Sequence, residues 1–274
     1  MAELSYDGYR AIADVYDRLN AEIDYEGWAD FVEACLTRYL PQRPKLLLDL
    51  ACGTGSMTLA LAARGYDMIG VDGSADMLSV AYERASDAGI SGVLFLLQDM
   101  RAFELYGTVE AVTCCLDSLN YLLTEEDVFQ CFSCVHNYLD PDGLFLFDVN
   151  TPYKFSEIYG DNAYILEDET DSGRVDGQDP IPRERGAVYC GWQNHFDPAD
   201  GVCTFDLSLF EETEEGIYRR SDEQQKERCY SLETLKHLLC RAGFEWLGCY
   251  GDWNFGAPSD RCQRWYLLAR CKKE

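Results

Sequence analysis

Residues Leu46 to Gly55 read LLLDLACGTG, and the rest of the chain can be ordered around them. The apolar run Leu46-Leu47-Leu48 reaches Asp49 and then breaks into a loop carrying Gly53 and Gly55. Beyond it, Leu59, Leu61 and Ala62 mark the apolar positions of a helix. A strand, a glycine loop and a helix in succession let backbone N–H groups approach a ligand closely at a helix N-terminus. A second strand, Tyr66 to Val71, ends at Asp72. That is about twenty residues past the loop, where an acid in a βαβ nucleotide site takes the hydroxyls of a ribose.

At 274 residues the chain is long enough for one large domain or for a domain with an insertion. With 47% apolar and 26% charged residues it has the composition of a globular protein. The formal charge of −26 sets up a field that repels a phosphate backbone, which argues against nucleic acid as the direct partner. No apolar run reaches the length of a membrane span, and MAELSYDGYRA lacks the basic-then-apolar pattern of a secretory signal. The expected compartment is the cytoplasm. The 13 cysteines are scattered through apparent core elements, and Cys131-Phe-Ser-Cys134 sits in a helical pattern without a second pair at zinc spacing. They read as reduced structural thiols, and no metal site is expected.

The stretch Asp49-Leu-Ala-Cys-Gly-Thr-Gly55 resembles motif I of the class I S-adenosylmethionine (SAM) dependent methyltransferases. Val71-Asp-Gly-Ser-Ala-Asp-Met77 is similar to their second motif, and Gln98-Asp99-Met100 to their adenine motif. The resemblance runs from about Leu46 to Asn150 and resumes in the closing helix and hairpin. It implies an α/β fold: a doubly wound, Rossmann-like, mostly parallel sheet of seven strands. It also implies SAM as cofactor, surrounded by Asp49, Ala51, Gly53, Gly55, Asp72, Gly73, Met77, Asp99, Met100 and Leu116. In this picture Asp49 orders the loop, Gly53 and Gly55 admit the methionine end, Asp72 holds ribose and Asp99 adenine. One departure is Ala51, where many members carry glycine; alanine is expected to keep a negative φ, leaving the turn to Gly53 and Gly55. The competing NAD(P) fingerprint would fall on Ala51, Gly53 and Ser56, so two of its three glycines are missing. An ordinary strand–turn–helix without a ligand is the remaining alternative.

The segment Tyr6 to Tyr39 is rich in aromatics at helical spacing and predicts two amphipathic helices broken near Ala21 to Tyr25. Its pattern, with Tyr9, Ile12, Tyr16, Tyr25 and Trp28, resembles the leader that closes over the methionine end of SAM in many small-molecule methyltransferases. Tyr16, Tyr25 and Trp28 are therefore candidates to cover the cofactor, with packing onto the sheet as the alternative for each. Ser74 is placed to cap a helix to about Ala88, on which Met77 faces either adenine or the core. Val93 to Leu97 is nearly all apolar, as a buried parallel strand should be, and leads to Asp99. Ala111 to Cys115 opens into Leu116-Asp-Ser-Leu-Asn-Tyr121 at the end of the sheet where ligands bind. The resemblance points this loop at the sulfonium and the acceptor. Thr124-Glu-Glu-Asp127 reads as a capping box opening a helix to about Leu139. The turn Asp140 to Gly143 then leads to a fifth strand, Leu144 to Val149.

From Thr151 to Arg228 the pattern becomes antiparallel β: Ala187 to Phe196, a turn at Asp197 to Gly201, Val202 to Glu211, and Ile217 to Arg228. Glu167 to Gln178 reads as a mobile loop. Such an insertion resembles the cap over the acceptor site of many members. Tyr189, Trp192, Asn194, His195, Arg219, Glu223, Gln225 and Arg228 are its polar and aromatic candidates, with period-2 alternation placing half on each face. A helix from Ser231 and strands Trp246 to Tyr250 and Arg264 to Ala269 close the fold, and His136 and His237 read as structural. The expected division is a SAM-binding domain of residues 1–150 and 229–274, with residues 1–44 as its helical lid and residues 151–228 as the cap.

The expected function is in-line methyl transfer from SAM to a nucleophilic O or N of a small molecule. Such a reaction needs alignment more than a catalytic triad. If a base takes part, the candidates are His195, Asp117 and Glu223; acceptor contacts are expected from Asn120, Tyr121, Trp192, Arg219 and Gln225. A monomer or homodimer is expected, with no membrane association. The alternatives are a silent SAM-binding regulatory protein and an NAD(P)-dependent oxidoreductase.

Overall fold

The computed structural model describes residues 13–167, 186–214 and 216–273. The expected roles of Tyr9 and Ile12, and most of the loop from Glu167 to Gln178, lie outside them.

A 3-10 turn, Ala13–Val15, leads into a short helix α1, Tyr16–Leu19, and the second helix, α2, spans Tyr25–Tyr39 with Asp24 capping it through Gly27 N–H. Then come β1 (Leu46–Leu50), α3 (Ser56–Ala63), β2 (Asp67–Asp72), α4 (Ala75–Asp87), β3 (Val93–Leu97) and β4 (Val109–Cys114). The chain goes on through a 3-10 turn, Ser118–Tyr121, to α5 (Glu125–Tyr138) and β5 (Leu139–Asn150). Both helix caps read from the sequence form: Ser74 Oγ accepts from Met77 N–H, and Thr124 Oγ1 from Asp127 N–H. After β5 come a π-helical turn, Lys154–Tyr159, and β6 (Ala163–Glu167), β7 (Val188–Asp197), β8 (Val202–Glu214) and β9 (Ile217–Arg228). The chain closes with α6 (Leu232–Arg241), β10 (Phe244–Tyr250) and β11 (Arg264–Cys271).

The described residues form two sheets. The larger has seven strands in the order β10-β11-β5-β4-β1-β2-β3, and only β11 runs against its neighbours. The smaller is antiparallel, in the order β6-β7-β8-β9. Alternation along the strands of the large sheet supplies two cores. Leu48, Val112 and Phe145 face α5 and α6, whereas Leu47, Ala111 and Leu144 face α2 and α3. The order reverses between β1 and β4, so a crevice opens at their carboxyl ends, where doubly wound sheets take ligands.

Four local expectations need correcting. Ala51 has φ +57°, in the left-handed region, alongside Gly53 at +55° and Gly55 at +79°. The cost to an alanine, about 1–2 kcal/mol, is offset by hydrogen bonds that hold the two residues after it. Cys52 N–H donates to Val71 O at 3.0 Å, and Gly53 N–H to the Asp72 carboxylate at 2.8 Å. The apolar β3 is an edge strand, with Leu94 and Leu97 about half exposed, because apolar content alone does not tell an edge from a centre. The expected turn at Asp140 to Gly143 is absorbed into β5 as an irregularity of its pairing with β4, with Asp142 at positive φ. The π-helical turn and β6 were not foreseen in the region read as purely antiparallel β.

Candidate active site

A cavity of about 530 Å³ lies at the carboxyl ends of β1 to β4, within the range of small-molecule sites. Asp49, Ala51 and Gly53 come from the end of β1, Asp72 and Gly73 from β2, Asp99 and Met100 from β3, and Leu116 and Tyr121 from the loop after β4. Met77 on α4 adds an apolar wall, and Tyr16 and Tyr25 line the cavity from the N-terminal segment.

The acids here have distinct surroundings. Asp72 ends β2 with one oxygen accepting from Gly53 N–H and the other from Ser74 N–H, each at 2.8 Å. It thus ties the glycine loop to the start of α4. Burial raises its pKa, and the backbone donors work against that rise. Asp49 is almost fully buried and accepts from Thr58 Oγ1 at 2.6 Å and Thr113 Oγ1 at 3.0 Å, which links β1, α3 and β4. Burial pushes its carboxyl up to about 6, against the two hydroxyl bonds. Asp99 is held below its ordinary pKa, chiefly by the side-chain bonds from Arg101.

Gly55 does not line this cavity. A Cβ there would meet Ala81 at 3.1 Å and Phe95 at 3.2 Å, so this glycine serves the packing of α3 against α4 and β3. Trp28 is buried instead among Trp253, Tyr266 and the Arg264 guanidinium, away from the cavity wall.

Pairing register sorts the candidates on the smaller sheet. On β7 to β9 the inward face carries Trp192, Asn194, Arg219, Glu223, Gln225 and Glu227, whereas Tyr189 and His195 lie on the other. Gln225 reaches the cavity wall, because Tyr121 Oη donates to its Oε1 at 3.0 Å; Gln225 in turn donates to Glu223 at 2.6 Å. His195 is largely exposed and pairs with Asp161 at 2.8 Å, remote from the cavity. Arg219 is paired with Glu211 near the open end of the cap sheet. Asn120 is fully buried and spends its amide on Arg228 O and Asn150 N–H, so it braces the loop rather than facing the cavity. Trp192 packs edge-on against Phe205, and its buried indole N–H has no hydrogen-bond partner among the described residues.

Asp117 does not line the cavity, though Leu116 and Ser118 on either side of it do. Both Leu116 and Asp117 have positive φ, at +60° and +53°. Asp148 holds them there, accepting from Leu116 N–H at 2.8 Å and Asp117 N–H at 2.9 Å. Arg264 then bridges the Asp148 and Asp117 carboxylates.

Several residues at the site had gone unnamed. Asp17 bonds Thr54 Oγ1 at 2.9 Å and pairs with Arg84, which also reaches Ser56, so α1 is latched to the glycine loop. Glu227 is buried and Lys154 half-buried, and both bond the Asn150 side chain. Glu227 was within reach of the alternation rule, since it follows Glu223 and Gln225 on one strand face; Lys154 gave no signal before the π-helical turn was known.

A strand-end acid over a glycine loop, at the switch point of a doubly wound sheet, defines a nucleotide-cofactor enzyme of the Rossmann-like class. A family model described as a methyltransferase domain matches residues 47–143. A Bacillus subtilis (strain 168) protein described as a methyltransferase, YqeM, is 33% identical over 97% of this chain and 98% of its own length. A dTDP-3-amino-3,4,6-trideoxy-α-D-glucopyranose N,N-dimethyltransferase of Streptomyces venezuelae is 31% identical over 74% of this chain and 85% of its own. The crystal structure of a SAM-dependent methyltransferase from Clostridium acetobutylicum ATCC 824 superposes with a TM-score of 0.80 at 27% identity, covering 97% of this chain and 99% of that one. The chain belongs to the class I SAM-dependent methyltransferase family. Its cofactor is SAM, and the NAD(P) reading is set aside. Among the described residues no helix is long and apolar enough to cross a membrane.

Proposed function

We propose that the chain methylates a nucleophilic N or O of a polar small molecule bound between the Leu116–Tyr121 loop, the N-terminal segment and the inward face of the cap. The observation that carries this reading is the bond from Tyr121, on the cavity wall, to Gln225 on the cap. It makes the cap's polar face continuous with the cofactor cavity. The cap is read as a subdomain of residues 151–228 inserted into the cofactor-binding domain of residues 1–150 and 229–274, with residues 1–44 as a lid. The Streptomyces venezuelae relative, named for an amino-sugar acceptor, supports nitrogen as the methylated atom.

The residues present fit SAM. Asp72 keeps lone pairs for two ribose hydroxyls after accepting its backbone donors, and Gly53 has no atom within 4 Å of where a Cβ would stand. Met77 and Leu97 line the same cavity and would hold adenine between them, with Asp99 and the Met100 backbone as its polar partners. When bound, SAM supplies a methyl group already activated by its sulfonium. The chain's task is to align the acceptor and exclude water, and such orientation is worth about 7–11 kcal/mol. Tyr16 and Tyr25 are placed to exclude water, and Tyr121 and Gln225 to orient the acceptor.

The test begins with calorimetric titration of SAM, S-adenosylhomocysteine and NADH into wild type and Asp72→Ala. Labelled methyl transfer to a panel of amino sugars, amines, hydroxylated metabolites and tRNA follows. Binding of the first two ligands, lost in the variant, with turnover of an amine or alcohol, is the expected result. Transfer to tRNA alone overturns the small-molecule acceptor, and cofactor binding without any turnover supports a regulatory role.

A further inference from the structure

Near the end of β3 the cofactor cavity is bordered by three charged side chains that bond to one another. Asp99 follows the strand, Arg101 stands two residues on, and Asp127 lies in the first turn of α5; all three line the cavity. Asp99 Oδ1 accepts from the Arg101 backbone N–H at 2.8 Å and from its Nε at 3.0 Å. Oδ2 accepts from the same Nε at 3.1 Å and from Nη2 at 2.5 Å. The other arm of the guanidinium, Nη1, donates to Asp127 Oδ1 at 2.9 Å. Asp127 is itself fixed, since Thr124 Oγ1 donates to its Oδ2 at 2.6 Å and accepts its N–H at 3.1 Å. Arg101 is thus anchored on α5 and grips both oxygens of Asp99 with its planar fork.

That grip decides what Asp99 can offer a ligand. An ionised carboxylate only accepts hydrogen bonds, whereas a protonated one also donates. The Arg101 side-chain bonds hold Asp99 below the ordinary carboxylate range, against a rise from burial. Its other titratable neighbours do not oppose this. Cys131 and Cys134 on α5 are thiols that burial pushes up, so they carry no charge at neutral pH, and Asp127 is paired with Arg101. The adjacent Gln98 spends its amide on the backbone of Glu104, donating to its carbonyl at 3.1 Å and accepting its N–H at 2.7 Å. Adenine carries a donor, its amino group, at C6 and an acceptor at N1. A 6-oxo purine reverses both, with an acceptor at C6 and a proton on N1. A fixed acceptor beside the Met100 N–H suits the first base and opposes the second.

We propose that Arg101 sets the base specificity of the cofactor site: by keeping Asp99 an acceptor, it makes the cavity take a 6-amino purine and reject the 6-oxo analogue. This rests on the reading above that Asp99 and the Met100 backbone meet the adenine ring. Arg101 acts through Asp99 and is a positioning residue. Without the fork, Asp99 takes a proton at a higher pH and is free to rotate, and a protonated carboxyl donates to a 6-oxo group. A lysine in its place would keep the charge but could not hold both oxygens in one plane. The side chains of Arg101, Asp99 and Asp127 are 43%, 26% and 24% exposed. Ion pairs this open to water add little to stability, so the fold survives their loss and the effect falls on binding.

The test needs no knowledge of the methyl acceptor. S-adenosylhomocysteine and its deaminated 6-oxo analogue, S-inosylhomocysteine, are titrated calorimetrically into the full chain from pH 5 to 8. Wild type should bind the first about 10- to 100-fold more tightly, the effect of one hydrogen bond to a charged group. Arg101→Met should cut that preference about tenfold and weaken S-adenosylhomocysteine further as pH falls, since Asp99 then protonates more readily. Arg101→Lys should lie between. Asp49 and Asp72 are present in every protein compared, so their titration drops out of the difference from wild type. No preference in wild type, or a preference and pH profile unchanged by Arg101→Met, would overturn the proposal. So would an equal weakening of both ligands at every pH, which would make Arg101 a brace for the loop alone. Asp99→Asn tells the two readings apart. If it binds both ligands as wild type does, adenine does not meet Asp99 and the underlying reading fails; if it loses the preference while Arg101→Met keeps it, only the role of Arg101 fails.

Discussion

The carboxylate of Asp72 accepts the N–H of Gly53 at 2.8 Å, so the end of the second strand fixes the loop that leaves the first. Its other oxygen holds Ser74 N–H, and the Asp72→Ala change therefore loosens the loop as well as removing a ribose partner. Each charged hydrogen bond lost is worth about 1.5–3 kcal/mol. SAM affinity is expected to fall on the order of 10- to 100-fold, with calorimetry as the measure. An unchanged dissociation constant would remove Asp72 from the site.

Asp49 predicts a particular pH dependence. Its carboxyl sits at about 6 in the folded chain, raised chiefly by burial, whereas an unfolded aspartate titrates at about 3.9. Between those values the folded state binds more protons than the unfolded state, so this group's contribution falls as pH rises through the window and is constant above it. Relative to Asp49→Asn, wild type should lose up to about 3 kcal/mol from pH 4 to 6. Urea unfolding of both proteins across that range measures it, and parallel curves would show that Asp49 does not titrate there.

Arg264 lies between Asp117 and Asp148, half-buried like the first and beside the fully buried second. Arg264→Met would strand two carboxylates and should destabilise the fold by about 3–5 kcal/mol. Adding Asp148→Asn should recover part of that loss, because one buried charge goes with it. Denaturant midpoints of the single and double variants report the coupling.

The latch from α1 to the glycine loop is partly exposed, so its effect should show in binding rather than stability. Asp17 bonds Thr54 and Arg84 together, and Arg18 reaches Gly186 O next to the cap. Asp17→Asn is expected to weaken SAM binding about tenfold, or about 1.4 kcal/mol, and to speed amide exchange in Tyr16–Leu19. Unaltered exchange would mean that α1 is held by its apolar contacts with Val188 and Leu207 alone.

Gly70 tests the packing beneath the loop. An added Cβ would stand 2.6 Å from Phe95 and 2.9 Å from Cys52 Sγ. Gly70→Ala should cost about 1–3 kcal/mol and lower the melting temperature, without a change in any polar contact.

What could be read from the chain alone was whatever depends on local spacing. The LLLDLACGTG strand and loop, the acid closing the next strand, the caps at Ser74 and Thr124 and the period-2 runs from Val188 to Arg228 each follow from backbone geometry over a few residues. Together they determined the large sheet, the cofactor class and the smaller antiparallel sheet. Packing decided the rest. Ala51 takes a left-handed φ because two neighbouring hydrogen bonds outweigh an alanine's preference, and no local rule weighs those bonds. His195 and Gln225 looked equally suited to an acceptor site, but pairing register turned one to the outer face and the other toward Tyr121. Asp117, Lys154, Glu227 and Arg264 come from four separate elements, and only the tertiary fold brings them into one group of charges. Charges far apart in sequence shift one another's protonation only where burial brings them together, and the tertiary fold alone provides that.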